Sequence, residues 1–301
     1  MSTSIVQNHQ PGLFARSLLR IGAPLRRYPL TMQLSLLWLL GVGLTAAFAD
    51  LLAPYDYTAM DLRARLQPPL LFGGEAAHPL GTDQLGRDLL SRLIVSIRMS
   101  LLVALAGTII GAVLGTAIGF AAAHFRRWVD DLLMVLVDFQ AAMPFMLLAL
   151  TVLAFFGNSL TLFVAVMGLY GWERYARLTR GLALAARNQG YAQALECLGA
   201  GPLRLYGRHI LPNIASTLIV NMTVNFPETV LIESSLSFLG LGIQPPLTSL
   251  GNMLGFGREY LTSAWWIAVC PGMVIVLTVL AMSILGDWVR DRLDPTSETR
   301  S

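Results

Sequence analysis

Hydrophobic and polar positions alternate along the chain in long blocks, and the apolar blocks have lengths typical of helices that cross a bilayer. Residues 28–49 and 99–123 contain no charged side chain, and about 20 apolar residues of helix are needed to cross a hydrocarbon core. Two further uncharged blocks lie at 210–227 and 260–286. Each block predicts one crossing.

The block at 139–172 is too long for a single crossing. Gly157-Asn158-Ser159 interrupts it with residues that favour a turn. The pattern therefore predicts two helices in this region, near 132–156 and 159–176. Together with the other blocks, they bring the expected number of transmembrane helices to six.

The composition indicates lipid as the solvent for most of the chain. Hydrophobic residues make up 55% and charged residues 13% of the 301 positions, and the mean hydropathy is +0.61. This is more apolar side chain than one water-soluble core needs. The expected fold class is all-α, a polytopic protein whose surroundings are the lipid bilayer, and no nucleic-acid partner is expected.

The arginines predict the orientation in the membrane. All 21 basic residues are arginine, and basic loops stay preferentially on the cytoplasmic side. With the N-terminus inside, 15 arginines, including Arg174, fall in the cytoplasm and six fall outside. Both termini are therefore expected in the cytoplasm. The expected divisions are a cytoplasmic tail at 1–27, a first transmembrane helix at 28–52, a periplasmic segment at 53–98, a transmembrane core at 99–287 with a cytoplasmic loop at 177–209, and a cytoplasmic tail at 288–301.

The cytoplasmic loop contains the segment YAQALECLGAGPLRLYGRHILPN at 191–213. Tyr191, Leu195 and Leu198 recur at helical spacing and predict a short helix. Gly199 follows it, where a left-handed cap ends a helix at little cost.

A second helix is predicted after this break. Proline fits the first turn of a helix, where its missing N–H costs nothing, so Gly201-Pro202 marks a new start. Leu203, Tyr206 and Ile210 are expected on one face, and Pro212 marks the return to the membrane. The two helices form either an ordinary connector or a docking element that enters a cleft of a partner.

The segment resembles the loop that marks the permease subunits of bacterial ABC importers. The family pattern is E-A-A, three residues, G, nine residues, I, one residue and L-P, and Ala194, Gly199, Leu211 and Pro212 match it. Three positions depart from the pattern: Gln193, Leu195 and His209. The resemblance implies that an ATPase contacts the loop at Gln193, Ala194, Leu195, Gly199, Ala200, Leu203, Arg204, Arg208 and Pro212.

Other stretches are similar to the dipeptide, oligopeptide and nickel permeases, specifically to the second permease of each pair. They are LGTDQLGRDLLSRLIVSIRMSL at 80–101, AAMPFMLLAL at 141–150, SLSFLGLGIQPP at 235–246 and GDWVRDRLDP at 286–295. The resemblance implies an importer of peptides, or alternatively of nickel or another small solute, in the bacterial inner membrane. It also implies a homologous second permease, two ATPase subunits and a periplasmic solute-binding protein as partners.

The residue inventory agrees with a separate ATPase. A phosphate-binding loop of the form G-x-x-x-x-G-K-[ST] requires a lysine, and the chain has none. No catalytic residue, metal ligand or cofactor is therefore expected in this chain. A carrier or channel acting alone would need a buried ionisable relay, and a membrane enzyme would need a clustered catalytic set. The sequence favours neither.

Carboxylates inside the apolar blocks are candidates for the lining of a transport pathway. Asp138, Glu228 and Glu233 lie in or beside predicted spans, where a carboxylate at a helix centre costs about 2.5–3.5 kcal/mol and tends to face a cavity or a partner charge. Glu228 or Glu233 would then meet a cationic substrate end or a metal ion. In the alternative interpretation, both glutamates lie in water at the outer interface.

Two local features carry structural predictions. Gly111, Gly115 and Gly119 recur at every fourth position, which suits close helix approach, either within the chain or to another helix of a complex. Thr82 is expected to cap the helix that leads into the second span.

Overall fold

The computed structural model describes residues 29–293, and this part of the chain is mostly helical, with one long irregular segment at 53–88. The expected tail at 1–27 and the last part of the tail at 288–301 lie outside the described residues. The helices are α1 (Leu30–Ala47), α2 (Ala49–Leu52), α3 (Leu89–Phe125), α4 (Arg127–Ala142), α5 (Phe145–Phe156), α6 (Leu160–Gly168), α7 (Trp172–Arg187), α8 (Gly190–Cys197), α9 (Leu211–Phe238), α10 (Leu250–Gly257) and α11 (Trp266–Leu293), with short 3-10 turns at Leu62–Ala64, Leu70–Phe72 and Arg258–Tyr260 and a π-helical turn at Arg204–Ile210.

Three helices in the described part of the chain, α1, α3 and α11, are long and apolar enough to cross a membrane. The number rises to four if α4 and α5, which pass the same test together, form one bent span. The helix α9 has 28 residues and sufficient length, but Glu228 and Glu233 interrupt its apolar sequence. Residues 29–293 thus form an all-helical structure with the several apolar spans of a polytopic membrane protein.

The helix predicted at 132–156 is two helices in the structure. The axes of α4 and α5 differ by 89°. Pro144 causes this break, because a proline disfavours helical conformation at the residue before it, and Met143 is extended, with φ −82° and ψ 133°. The stretch predicted as one helix is therefore broken into two at Pro144.

The stretch predicted as one helix at 159–176 comprises α6 and the beginning of α7. Gly171 separates them with a φ of +77°, a left-handed conformation that glycine adopts without the steric cost of a Cβ. The predicted turn at Gly157 is confirmed. Beyond it, the Ser159 hydroxyl caps α6 by accepting a hydrogen bond from the Leu162 N–H at 3.2 Å.

The π-helical turn at 204–210 and α9 form one continuous helical segment. Pro212 lacks an N–H, and in a regular α-helix its ring would clash with the carbonyl four residues earlier. The wider π-helical turn lies directly before this proline. The segment then passes Pro227 and ends at Phe238, well beyond the predicted end at 227.

Of the three regularly spaced glycines of α3, Gly115 and Gly119 pack against α7, and Gly111 packs against the backbone at Tyr170 just before it, all within the same chain. A Cβ added at Gly115 would lie 2.2 Å from the carbonyl oxygen of Trp172, and one at Gly119 would lie 2.6 Å from that of Ala176. At Gly111 the nearest atom is also a backbone oxygen, at 3.0 Å. The two helices therefore meet backbone to backbone, and the glycine pattern serves packing within the chain.

The segment before α3 is held by buried polar contacts. The Asp88 carboxylate caps α3 by accepting a hydrogen bond from the Ser91 N–H at 2.7 Å. Thr82 is fully buried; its hydroxyl donates to the Ala64 carbonyl and accepts from the Gln67 N–H. The predicted Thr82 cap is wrong, because the N-cap residue of α3 is Asp88. The Thr82 hydroxyl instead forms hydrogen bonds with the backbone of the preceding loop, at Ala64 and Gln67.

Candidate functional site

Residues 190–210, called the elbow here, begin with α8. Gly199 ends this helix with a φ of +75°. Its N–H donates to the Glu196 carbonyl, and the Ala200 N–H donates to the Leu195 carbonyl, each at 3.0 Å. This pair of bonds is a Schellman motif. The predicted left-handed cap at Gly199 is confirmed.

The second arm of the elbow starts at Pro202, as predicted. Leu205, Tyr206 and Ile210 are buried, but Leu203 is 89% exposed. The prediction that Leu203 shares the buried face is wrong. The reason is the π-helical turn, whose hydrogen bonds join residues five apart, so that Ile210 lies on the same face as Leu205.

The inner side of the elbow packs against the ends of α3 and α7. The contact is one apolar cluster with contributions from all these elements and from α9. Because protein interiors are close-packed, this cluster makes the elbow and the ends of these helices a single rigid unit. Its buried members are Ala123, Ala183, Ala186, Ala192, Leu205, Tyr206, Ile210, Ile214 and Leu218.

Arg187, the last residue of α7, joins the parts of this unit by hydrogen bonds. Its guanidinium donates to the Glu196 carboxylate at 2.9 Å, to the Ala123 carbonyl at 3.1 Å and to the Tyr206 hydroxyl at 3.4 Å. Burial raises the pKa of the Tyr206 phenol, which keeps the phenol neutral at physiological pH. The acidic side chain of α8 is thus engaged within the chain.

The outer side of the elbow is exposed, and its tip is apolar. Leu198 is 84% and Leu203 89% exposed, on either side of the Gly199 cap. Exposed apolar patches of this kind are typical of interaction surfaces. Among the residues that the resemblance implies for ATPase contact, Leu195 and Ala200 are half-buried. The exposed ones are Gln193, Ala194, Gly199, Leu203, Arg204, Arg208 and Pro212.

Above the elbow, α7 carries arginines that pair with carboxylates of α4. Arg180 makes two hydrogen bonds of 2.6 Å to Asp130, which is mostly buried. Arg177 lies 3.5 Å from Asp138, and this carboxylate is 72% exposed. Asp138 therefore occupies an exposed position beside Arg177.

Farther from the elbow, Arg174 of α7 pairs with Glu228 of α9. Its guanidinium donates to the two carboxylate oxygens at 2.5 and 3.2 Å and to the Asn225 side-chain oxygen at 3.1 Å. The guanidinium carbon lies 5.8 Å from the centre of the Tyr170 ring. The ion pair places Arg174 and Glu228 at one level of the bundle. The sequence analysis placed these residues in separate regions, Arg174 in a cytoplasmic loop and Glu228 in a span or at the outer interface, whereas the ion pair makes their side chains neighbours.

A polar stripe runs along α9 through Glu228. Asn221, Asn225 and Glu228 follow one another at spacings of four and three residues, which places them on one helix face. Thr217 and Ser235 extend the stripe, and all of these residues are at least partly exposed. The sequence reasoning missed Asn221, Asn225 and the partner role of Arg174. The helical spacing of polar residues in an apolar block was the available signal for the two asparagines.

Glu233 lies on the opposite, buried side of α9 and is 0% exposed. Its carboxylate accepts hydrogen bonds from the Ser237 hydroxyl at 2.9 Å and from the Ser234 hydroxyl at 3.3 Å. In this structure, Glu233 contacts neither an open route nor outer water. Of the three candidate pathway carboxylates, only Asp138 and Glu228 have exposed positions.

Two protein-family models match the chain. Residues 107–298 match the binding-protein-dependent transport system inner membrane component. Residues 26–69 match the N-terminal TM domain of oligopeptide transport permease C. The first match includes the elbow and both members of the Arg174–Glu228 pair.

Curated relatives agree with these matches over most of the chain. The sequence is 41% identical over 261 residues to the di/tripeptide transport system permease protein DppC of Pseudomonas aeruginosa, covering 86% of each chain. It is 41% identical over 251 residues to the dipeptide transport system permease protein DppC of Escherichia coli, covering 83% of this chain and 84% of the relative. The chain therefore belongs to the family of inner membrane components of binding-protein-dependent transport systems, the permease subunits of ABC importers.

Proposed function

We propose that this chain is one of the two permease subunits of an ABC importer for short peptides in the bacterial inner membrane. The elbow carries the proposal, because it combines a rigid attachment to α7 and α9 with an exposed apolar tip. The names of the relatives support peptides as the substrate. Separate ATPase subunits hydrolyse ATP, since the chain lacks the lysine of a phosphate-binding loop. The chain itself binds no cofactor.

In this proposal the chain crosses the membrane six times. The crossings are α1, α3, the bent pair α4 and α5, the broken pair α6 and α7, α9 and α11. Both termini and the elbow lie in the cytoplasm, and the segment between α2 and α3 lies in the periplasm, where a solute-binding protein delivers the substrate. A homologous second permease completes the pathway. The excess of arginines on one side supports this orientation.

The elbow transmits motion from an ATPase subunit to the spans. Its cluster with α3, α7 and α9 leaves little freedom for the elbow to move alone. A displacement of the elbow therefore rotates α7 and α9 together, as alternating access by rigid-body rocking requires. Gln193 stands at the family position of a glutamate, and Glu196 is paired with Arg187. Docking consequently relies on the apolar tip and on the exposed arginines Arg204 and Arg208.

The tip offers a direct test with a matched control. The substitution Leu203→Glu puts a charge on the exposed tip, whereas Leu71→Glu puts the same charge on a leucine that is 91% exposed in the segment before α3. After purification of the tagged complex, we expect the Leu203→Glu variant to retain few ATPase subunits and to lose peptide uptake in proteoliposomes. The Leu71→Glu variant should keep its ATPase subunits.

Two results would contradict the proposal. One is a Leu203→Glu complex with the full complement of ATPase subunits and normal uptake. The other is peptide accumulation by vesicles that contain only this chain, which would indicate a carrier or channel acting alone.

A further inference from the structure

The Arg174–Glu228 pair lies deep in the bundle relative to the elbow. Arg174 precedes the end of α7 at Arg187 by 13 residues, or about 20 Å at the rise of an α-helix. Glu228 follows the start of α9 at Leu211 by 17 residues, or about 25 Å. If the elbow lies at the cytoplasmic surface, as proposed above, both charges lie in the outer half of a hydrocarbon core about 30 Å thick, about 5–10 Å from its far side.

These charges are nevertheless open to their surroundings. The side chain of Arg174 is 44% exposed and that of Glu228 is 45% exposed. Charged side chains at membrane depth face a water-filled cavity or a partner, because contact with lipid tails is too costly. The neighbouring Asn221 and Asn225 continue the same polar surface along α9. This face of the bundle is therefore directed away from the lipid, as the lining of an aqueous route is.

The chemistry of the pair matches the two ends of a short peptide. A guanidinium presents a planar fork that binds a carboxylate through two hydrogen bonds, and a carboxylate binds an ammonium group. Arg174 already holds the Glu228 carboxylate in this forked manner. A zwitterion that inserts between them replaces one ion pair by two, so that no charge is left without a partner.

We propose, resting on the proposed function, that Arg174 and Glu228 form a specificity-determining site for peptides with free ends. Arg174 binds the terminal carboxylate and Glu228 binds the terminal ammonium group. Asn225 and the ring of Tyr170 hold the guanidinium in place on either side. In the absence of substrate, the two side chains neutralise each other.

The neighbouring pair on α7 provides a control. Arg180 and Asp130 also form a forked ion pair, but Asp130 is only 13% exposed. This pair therefore holds α7 to α4, and its carboxylate does not line the proposed peptide route. The double substitution Arg174→Gln/Glu228→Gln removes both charges of the proposed site together, while Glu173, which lies 3.8 Å from Arg174 in the structure, keeps its charge. Arg180→Gln/Asp130→Asn removes both charges of the structural pair.

The experiment uses the complete importer with its binding protein in proteoliposomes and measures uptake of radiolabelled dialanine and ATP hydrolysis in parallel. We expect Arg174→Gln/Glu228→Gln to lower the peptide taken up per ATP by about tenfold, the size expected for loss of a charge-assisted hydrogen bond. Hydrolysis of ATP stimulated by the loaded binding protein should persist. The Arg180→Gln/Asp130→Asn complex should keep its uptake per ATP.

Unchanged uptake per ATP in the first double variant would overturn the inference, as would an equal loss in the control. A wild-type complex that takes up no peptide would instead overturn the proposed function. If the first double variant does not assemble, Arg174→Lys takes its place, because lysine keeps the charge and loses the fork. The peptide taken up per ATP by the Arg174→Lys complex should also fall. A value equal to that of the wild-type complex would overturn the inference.

Discussion

The close contact between α3 and α7 allows one prediction to be worked out from distances. In the variant Gly115→Ala, the new Cβ would lie 2.2 Å from the Trp172 carbonyl oxygen, 2.6 Å from the Tyr175 Cβ and 3.0 Å from the Ala176 nitrogen. Ordinary contact begins near 3.4 Å, so the helices must separate by about 1 Å. Two of the three atoms belong to the backbone, and no change of rotamer relieves the clash.

The expected cost follows from these contacts. Overpacking of this kind destabilises a protein by about 1–3 kcal/mol. Replacing glycine by alanine inside a helix has the opposite effect and stabilises the helix by up to about 1 kcal/mol. We therefore expect a net destabilisation of about 1–2 kcal/mol. For a chain of this size, each kcal/mol lowers the melting temperature by about 2–4 °C.

The assay is thermal denaturation of the purified complex in detergent. The control is Gly181→Ala on α7, where an added Cβ meets nothing within 4 Å; its melting temperature should stay equal or rise because of the better helix propensity. A Gly115→Ala complex as stable as the Gly181→Ala complex would show that α3 and α7 do not meet in this way.

Two other substitutions test buried polar contacts by the same denaturation assay. Asp88→Ala removes the cap of α3 together with its buried hydrogen bonds and should cost about 2 kcal/mol, whereas Glu75→Ala, at an exposed position of the same segment, should have no effect; equal melting temperatures would contradict the assigned cap. Glu233→Ala leaves the hydroxyls of Ser234 and Ser237 without their acceptor and should cost about 2–3 kcal/mol, more than Glu233→Gln, which keeps an acceptor oxygen. The reverse order would show that the carboxylate is not held by these serines.

Local signals in the sequence predicted several elements correctly. The left-handed cap at Gly199 and the new helix at Pro202 depend on the backbone preferences of single residues, and both are found. The turn at Gly157 follows from the same kind of rule.

The wrong predictions share a different origin. A hydropathy block shows that a segment is apolar but not how its helix breaks, so the block at 139–172 indicated neither the 89° angle at Pro144 nor the break at Gly171. Leu203 was placed on the wrong face because the spacing rule assumes an α-helix, and the structure has a π-helical turn. Thr82 was taken for a cap because the sequence does not show that its hydroxyl bridges two loops.

The sequence by itself determined that this chain is helical, that most of it belongs in lipid, and that it lacks the lysine of a phosphate-binding loop. These conclusions depend on composition, on the helical spacing of apolar residues and on the absence of lysine. All three are properties of the sequence that do not depend on how the chain folds. Only the tertiary structure decided that the Glu228 carboxylate is partly exposed and the Glu233 carboxylate is buried. Glu228 and Glu233 are five residues apart on one helix, and their environments differ because α7 brings an arginine to one side while the other side packs into the protein interior.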